Sequence, residues 1–214
     1  MKVKICGIKT DRDLNMAVNA GADAVGFITE VPVDSPRKIS ISEASRLISK
    51  VPVFVSSVLV IMPINADEAI SMIHEAKPNA VQIHNALPFV ELKKIRETGV
   101  RIIKTIPVSE YADTEMLIDL IKDLSGIADA VLLDTAIDGK TGGTGVSHNW
   151  ELSGKVVLSS GMPVILAGGL TPANVSEAVR CVRPYAVDTA SGIETNGKKD
   201  ETKILDFIHN ARML

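Results

Sequence analysis

Cys6 is one of two cysteines in this chain of 214 residues, and it ends a short apolar run in the stretch KICGIKT. A thiol in this setting is either a small buried hydrophobe or, when ionised, a base or nucleophile. Lys4 stands two residues earlier, so the two side chains share a face if the run is a strand, and a nearby ammonium favours the thiolate. The second cysteine, Cys181, follows Val179 in a segment of helical spacing, where we expect it to pack in the core.

Two further polar side chains end apolar runs in the same way: Asp134 in AVLLD and His84 in AVQIH. A carboxyl group in apolar surroundings must find a partner or keep its proton, and either state suits a general acid. His84 could join the same site or only hydrogen-bond a loop. His74, His148 and His209 have no companion ligands in the sequence, so no metal site is predicted.

Three glycine-rich stretches, DTAIDGKTGGTG, AGGLTPANV and ASGIE, come late in the chain. Backbone N–H groups can converge in such loops, and a glycine lets the chain approach phosphate oxygens closely. One stretch alone is a weak signal, but three in succession predict a phosphorylated small molecule as the ligand. Arg37, in DSPRKIS, offers a planar fork for a carboxylate if it faces the same rim, which would make the ligand anionic at both ends.

Short β-branched runs alternate with segments of helical spacing along the chain, a pattern typical of a parallel sheet covered by helices. The predicted strands span residues 3–6, 24–28, 54–60, 80–84, 101–106, 130–134, 164–168 and 186–190. The predicted helices lie near residues 11–20, 42–50, 66–76, 88–98, 114–125, 150–160, 172–183 and 200–211. Expected helix starts are marked by Ser42, by Thr171 with Pro172, and by Asp67 with Glu68.

Eight strand–helix units with no proline- or glycine-rich linker predict a single (β/α)8 barrel domain over residues 1–214. A doubly wound open sheet is the alternative, although eight strands would make it unusually wide. Barrel chemistry sits at the carboxyl ends of the strands, where the cysteine, histidine and aspartate described above stand and where Lys104 also falls. Strand alternation directs Lys4, Cys6, His84 and Asp134 into the barrel. Asp188 on the eighth strand could pair there with Lys4 on the first.

The composition of the chain restricts the kinds of partner and the cellular compartment that we expect for it. The net charge is −3 and aromatic residues make up 3%, so there is no basic, base-stacking surface for nucleic acid. The most apolar stretch, residues 51–64, is too short and too broken by proline and serine to span a bilayer, so no membrane association is expected. Two cysteines far apart in sequence form no disulfide framework, which favours the reducing cytoplasm.

The motifs together resemble the phosphoribosylanthranilate isomerases of tryptophan biosynthesis. The resemblance rests on KICGIKT, GADAVGFI, SPRKIS, VQIH, LLDT, GGTG, LAGGLTPANV, VDTASGIE and GKKDETKILDFI, which run through essentially the whole chain. It implies a (β/α)8 barrel that performs an Amadori rearrangement. N-(5-Phosphoribosyl)anthranilate would become 1-(2-carboxyphenylamino)-1-deoxyribulose 5-phosphate, without a metal or organic cofactor. The oligomeric state is left open between monomer and homodimer.

The resemblance also assigns roles to residues of this chain. Cys6 would be the general base, Asp134 the general acid, and Arg37 the group that holds the anthranilate carboxylate. The remaining substrate-binding positions are His84, Asp188 and, for the phosphate, the backbone at Gly143, Gly168, Gly169, Ser191 and Gly192. Acid–base work near neutral pH requires a lowered thiol pKa and a raised carboxyl pKa, and we expect both here.

Some positions depart from the family pattern. Asn85 follows the fourth-strand histidine where a glycine is usual, and Thr189 and Ala190 stand where a hydrophobic residue and a serine are expected. Two alternatives therefore remain: another phosphate-binding barrel, such as a sugar-phosphate epimerase or a synthase, and a non-catalytic sensor of a phosphorylated ligand. An epimerase would be expected to offer metal ligands or paired acids, and a sensor would tolerate loss of the acid and the base.

Overall fold

Eight parallel strands form the centre of the structure, a computed structural model that describes residues 1–109, 111–137, 140–141 and 149–213. These strands are β1 (Lys2–Cys6), β2 (Ala24–Thr29), β3 (Ser56–Ile61), β4 (Ala80–Ile83), β5 (Arg101–Val108), β6 (Ala130–Ile137), β7 (Val164–Leu166) and β8 (Ala186–Thr189). Each strand pairs with the next along the chain, and β1 pairs with both β2 and β8. The sheet is therefore a closed barrel, as predicted, and the open-sheet alternative is wrong.

Eight α-helices in the described residues follow the strands in turn. They are α1 (Asp11–Asn19), α2 (Ile41–Ile48), α3 (Ala66–Ala76), α4 (Phe89–Arg96), α5 (Thr114–Asp123), α6 (Trp150–Ser159), α7 (Val175–Val182) and α8 (Glu201–Arg212). None of these helices combines the length and the apolar composition that a membrane span requires.

Of the three helix starts that the sequence marks, the one at α3 is confirmed and the ones at α2 and α7 are wrong. Asp67 and Glu68 do lie in the first turn of α3, where carboxylates meet the positive end of the helix dipole. The start at Ser42 is wrong, because Ser40 caps α2 by accepting a hydrogen bond from the N–H of Glu43.

The predicted start of α7 at Thr171 and Pro172 is also wrong. The side chain of Asn174 accepts a hydrogen bond from the N–H of Thr171 at 2.8 Å and donates to the carbonyl of Gly169 at 3.0 Å. These two bonds hold the segment as a turn, and α7 begins only at Val175.

Buried side chains form two layers, as strand alternation predicts. The outer layer, between the barrel and the helices, includes Ile5, Phe27, Ile83, Val131 and Phe207. The inner layer fills the barrel and includes Cys6, Val58, Ile103, Leu132 and Ile165. Cys181 belongs to neither layer, because its side chain is exposed on α7, and the expectation that it packs in the core is wrong.

Short elements lie beyond the carboxyl ends of the strands. Lys38–Ile39 pairs with the end of β2, and Lys140–Thr141 pairs with β6. A 3-10 turn at Ser191–Ile193 follows β8 and leads into a hairpin formed by Glu194–Thr195 and Lys198–Lys199. These additions form the rim around the inner polar residues.

Candidate active site

The floor of the site is a buried ion pair between the first and last strands. Lys4 Nζ lies 2.9 Å from Asp188 Oδ1, and the two residues are aligned in the β1–β8 register. Lys4 is 3% exposed and Asp188 is 8% exposed. Each charge compensates the other, since either one alone would be costly to bury. The predicted pairing of the two residues is confirmed.

Cys6 lies two residues after Lys4 on β1, so its side chain is on the same inner face, and it is buried. Gly26 on β2 provides the space for both side chains. A Cβ atom at position 26 would lie 2.7 Å from the sulfur of Cys6 and 3.1 Å from Nζ of Lys4. The absence of a side chain on β2 therefore allows the thiol and the ammonium to converge.

The expected lowering of the Cys6 pKa is wrong for the unliganded protein. Burial raises the pKa of the thiol, and the Asp188 carboxylate raises it further. The cations of Lys4 and Lys199 act in the opposite direction but do not outweigh burial. The physical reason is that burial disfavours the charged thiolate, and the carboxylate that pairs with Lys4 disfavours it as well.

Asp134 has the raised pKa that was expected. Asp134 is 5% exposed and lies in the carboxyl-terminal part of β6. Burial raises the pKa of Asp134 to about 7, with a further contribution from the negative charge of Asp188. The N–H of Thr135 and the cation of Lys4 oppose this shift. Near neutral pH the carboxyl group is therefore divided between its protonated and ionised forms.

His84 lies beside Asp134, with Nε2 at 4.0 Å from Oδ2, which is too long for a hydrogen bond. Burial, together with the cations of Lys104 and Lys4, lowers the pKa of His84 to about 4. The imidazole is therefore neutral at physiological pH. His84 is brought to the site as predicted, but as a neutral polar group and not as an ion-pair partner of Asp134.

Lys104 does not join the inner polar set. By register it is aligned with Ile83 and Val131, which both belong to the helix-facing layer. Its ammonium donates hydrogen bonds to the carbonyls of Asn85 at 2.9 Å and Thr105 at 2.6 Å. Burial lowers the pKa of Lys104 to about 8. Lys104 thus holds the loop after β4 through hydrogen bonds from the helix-facing side of β5.

Arg37 reaches the rim and forms a two-point ion pair that the sequence analysis missed. Its Nε lies 2.8 Å from Oε1 of Glu194, and Nη2 lies 2.8 Å from Oε2. Lys199 Nζ binds the same carboxylate, 2.9 Å from Oε1. Burial alone would raise the pKa of Glu194, but the hydrogen bonds and charges of Arg37 and Lys199 hold it below its usual value. We refer to Arg37, Glu194 and Lys199 as the rim cluster.

The glycines after β7 and β8 are needed for close packing between loops. Gly168 has φ +86°, and a Cβ there would lie 2.2 Å from Oγ1 of Thr135 on β6. A Cβ at Gly192 would lie 1.9 Å from the carbonyl oxygen of Leu170. Gly169 also has a positive φ, of +64°. Three consecutive strand ends are therefore held in contact through positions that tolerate no side chain.

The predicted phosphate positions are only partly described. Gly168, Gly169, Ser191 and Gly192 lie together in the loops after β7 and β8, whereas Gly143 lies outside the described residues. No described residue accepts a backbone hydrogen bond from the N–H group of Gly169.

A closed parallel barrel whose strand ends carry a buried thiol and a buried carboxylic acid defines the class: a (β/α)8-barrel enzyme equipped for proton transfer. The sequence model of N-(5'-phosphoribosyl)anthranilate (PRA) isomerase matches residues 3–210. The chain therefore belongs to the N-(5'-phosphoribosyl)anthranilate isomerase family, and it is an isomerase of tryptophan biosynthesis.

Relatives span the whole chain. The N-(5'-phosphoribosyl)anthranilate isomerase of Methanosarcina acetivorans is 52% identical over 99% of this chain and 93% of its own length. The crystal structure of the Thermotoga maritima phosphoribosyl anthranilate isomerase is 35% identical, with a TM-score of 0.87 and complete coverage of both chains. A phosphoribosyl anthranilate isomerase in complex with reduced 1-(o-carboxyphenylamino)-1-deoxyribulose 5-phosphate is also 35% identical, with a TM-score of 0.84 and complete coverage of both chains.

The alternative functions receive no comparable support. A thiamine phosphate pyrophosphorylase from Pyrococcus furiosus has a TM-score of 0.66 but only 14% identity, which shows a shared fold alone. The reaction of this chain is the Amadori rearrangement of N-(5'-phosphoribosyl)anthranilate, as the resemblance implied.

Proposed function

We propose that Asp134 is the general acid and Cys6 the general base of this rearrangement. Asp134 would protonate the ring oxygen while the anthranilate nitrogen forms a double bond to C1 and the furanose opens. The thiolate of Cys6 would then remove the proton from C2, and the resulting enolamine would tautomerise to the ketose. One acid and one base at the same rim are sufficient for both steps.

The observation that carries this proposal is that one ion pair acts on both reacting groups. The charges of Lys4 and Asp188 shift the pKa of Cys6 and also the pKa of Asp134. The thiol and the carboxyl group therefore lie within electrostatic range of the same two charges, at the carboxyl ends of β1 and β6. These two strands are not neighbours in the barrel, so the two groups approach the site from different sides.

The resting protonation state is the reverse of the reactive one. With a carboxyl pKa of about 7 and a raised thiol pKa, the dominant form above neutral pH has an ionised Asp134 and a neutral Cys6. The reactive form, with an ionised thiol and a protonated carboxyl group, differs only in the position of one proton. The reaction rate still has a bell-shaped pH dependence. The dominant and the reactive forms each carry one proton on the two groups, so their ratio does not change with pH, and both disappear at low and at high pH.

Substrate anions would be bound at opposite sides of the rim. We propose that Arg37 binds the anthranilate carboxylate and that backbone N–H groups at Gly168, Gly169, Ser191 and Gly192 bind the phosphate. Two observations support this arrangement: the positive charge of the rim cluster, and the N–H group of Gly169, which has no backbone acceptor among the described residues. Binding at both ends would orient the reacting C1–C2 region between the acid and the base.

The predicted role of Asp188 is refined by its position. It lies below Cys6, paired with Lys4, so we propose that it acts on the substrate through the charges of the site rather than by direct contact. His84 would contribute a neutral polar side chain near Asp134. We keep the expectation that no metal or organic cofactor takes part as a prediction.

We propose that the chain forms a homodimer in which residues 51–55 take part. Val53 and Phe54 are 90% and 96% exposed, which is unusual for adjacent apolar side chains. A relative from Thermotoga maritima, 32% identical and covering all of this chain, is described as monomers generated from a dimeric isomerase. We also propose a cytoplasmic location, because Cys6 and Cys181 are both free thiols and a thiol base must remain reduced.

The direct test is loss of phosphoribosylanthranilate fluorescence with purified variants. We expect Cys6→Ala and Asp134→Asn each to lower kcat by about 10²- to 10⁴-fold while both remain folded. Cys181→Ala is the matched control, because this thiol is exposed on α7, and it should keep full activity. Full activity of Cys6→Ala would exclude the proposed base, and full activity of Asp134→Asn would exclude the proposed acid.

A further inference from the structure

The rim cluster contains more than the arginine that the proposed function uses. We infer that Glu194, itself held by Lys199, is the positioning residue that presents Arg37 to the carboxylate of the substrate. The inference rests on the proposed role of Arg37 and adds a residue that acts through it. Glu194 is itself negatively charged and lies in a rim that is proposed to bind anions. Without a positioning role, its charge would only weaken the binding of the substrate.

The geometry of the ion pair leaves one edge of the guanidinium available. Glu194 occupies the edge formed by Nε and Nη2, with both distances at 2.8 Å. No described residue accepts a hydrogen bond from Nη1. A planar guanidinium has a second two-point edge, formed by Nη1 and the other hydrogen of Nη2. The carboxylate of a ligand can bind this second edge while Glu194 keeps the first.

The aliphatic part of Arg37 is fixed as well. Gly7 has φ +75°, and a Cβ atom there would lie 2.7 Å from Cδ of Arg37 and 3.2 Å from its Cγ. The stem of the arginine therefore lies directly over the backbone that follows the catalytic strand β1. With its stem on Gly7 and its head group on Glu194, the side chain is ordered before any ligand arrives, which lowers the entropy cost of binding.

Lys199 keeps Glu194 in place and keeps the cluster positive. Its Nζ lies 2.9 Å from Oε1 of Glu194 and 2.8 Å from the carbonyl oxygen of Ala190, and its side chain is 2% exposed. Lys203 adds a bond of 2.8 Å to the backbone carbonyl of Glu194. With two cations around one carboxylate, the cluster retains a net positive charge for an incoming anion.

The same lysine joins the two anion-binding regions. Ala190 immediately precedes Ser191 and Gly192, which belong to the proposed phosphate loop. A chain of contacts therefore runs from Arg37 through Glu194 and Lys199 to that loop. The separation between the carboxylate site and the phosphate site is thereby fixed by side chains and not by the substrate.

The test compares two ligands by isothermal titration calorimetry. The first is reduced 1-(o-carboxyphenylamino)-1-deoxyribulose 5-phosphate, and the second is the same compound without the aryl carboxylate. We expect Glu194→Gln to weaken binding of the first ligand by about tenfold or more and to change binding of the second by less than about twofold. With the natural substrate, KM should rise by a similar factor while kcat changes by less than about threefold.

Controls separate positioning from stability. Glu43→Gln removes another two-point pair with an arginine, Arg46, on the exposed face of α2, and should leave both affinities unchanged. Arg37→Ala should weaken binding of the first ligand at least as much as Glu194→Gln does. In the double variant, the two losses should not add, because Glu194 acts only through Arg37.

The possible outcomes distinguish the positioning role of Glu194 from the proposed role of Arg37. Normal affinity of Glu194→Gln for the first ligand, with a loss in Arg37→Ala, would overturn the inference and leave the proposed role of Arg37 intact. No loss in Arg37→Ala would refute that proposed role itself. If Glu194→Gln does not fold, Lys199→Met provides the test, since it frees Glu194 without removing it. Lys199→Met should weaken the first ligand selectively, and wild-type affinity for both ligands would overturn the inference.

Discussion

Lys4 on β1 and Asp188 on β8 form a buried ion pair of 2.9 Å across the strand junction that closes the barrel. The pair lies directly below Cys6, and its two charges also act on Asp134. A structural contact between the first and last strands is thus also the main electrostatic feature of the active site. It joins the two strands that close the ring, and its charges act alongside the larger effect of burial on the pKa values of Cys6 and Asp134.

Removing one partner of the Lys4–Asp188 pair should lower the free energy of unfolding more than removing both partners. We expect Lys4→Met to lower the free energy of unfolding by about 3–5 kcal/mol, because the Asp188 carboxylate stays buried without its cation. The double variant Lys4→Met, Asp188→Leu should recover much of that loss, since no charge remains. Urea denaturation of the wild type, of the single variants Lys4→Met and Asp188→Leu, and of the double variant measures this cycle. Equal losses for the single and the double variants would contradict the expectation.

The thiol of Cys6 should titrate above its ordinary range in the unliganded enzyme. Burial and the Asp188 carboxylate raise the pKa of Cys6, so removal of the negative charge in Asp188→Asn should lower it. The ultraviolet absorbance of the thiolate, followed against pH in a Cys181→Ser background, reports the value for Cys6 alone. A thiol that ionises near neutral pH in the wild-type background would show that the cations of Lys4 and Lys199 prevail over burial.

Asp134 should make the protein less stable as the pH rises. Burial raises the pKa of Asp134 from the model-compound value of 3.8 to about 7, so between these values the folded state binds more protons than the unfolded state. The free energy of unfolding therefore falls across this interval, and the cost is complete above it.

Asp134→Asn removes this cost. At about 1.4 kcal/mol per pKa unit, the variant should be more stable than the wild type by up to about 4 kcal/mol near pH 8 and similar to it near pH 4. Denaturant titrations at the two pH values measure the difference. A gain that is the same at both would contradict the assignment of the shifted pKa to Asp134.

The proposed dimer predicts a specific response to a charge in residues 51–55. Phe54→Asp should shift the protein from dimer to monomer in sedimentation velocity experiments, because a carboxylate is costly to bury in an apolar contact. Leu158→Asp is a suitable control, since Leu158 is also highly exposed, at 83%, but lies on α6. Wild-type protein that sediments as a monomer at all concentrations would refute the dimer.

The barrel could be predicted from the sequence because its strands and helices carry distinct local patterns. α3 begins and ends at the predicted residues, Ala66 and Ala76, and its acidic first turn is visible in the sequence. The start of α7 could not be placed, because it depends on hydrogen bonds that Asn174 makes to a turn. The sequence left the direction of Lys104 undecided, and the register of β5 with β4 and β6 places it on the helix-facing side.

The burial of Cys6 and Asp134 at the strand ends was predictable, because each of these residues ends an apolar run. Glu194 was not, because it meets Arg37 across 157 residues of sequence and no local pattern announces that contact. The direction of the Cys6 pKa shift also required the fold. It depends on how deeply the sulfur is buried and on the pairing of Lys4, and neither quantity is a property of the local sequence.

The closing of the ring by β1 and β8 also has a consequence for biosynthesis of the enzyme. Lys4 and Asp188 are separated by 184 residues, so the strand that carries the proposed base leaves the ribosome long before its electrostatic partner is made. Until β8 is translated, β1 lacks one of its two neighbours in the sheet and its lysine lacks a counter-ion. We therefore expect catalytic competence to appear late and abruptly during synthesis, when the last strand docks, and not in proportion to the length of nascent chain.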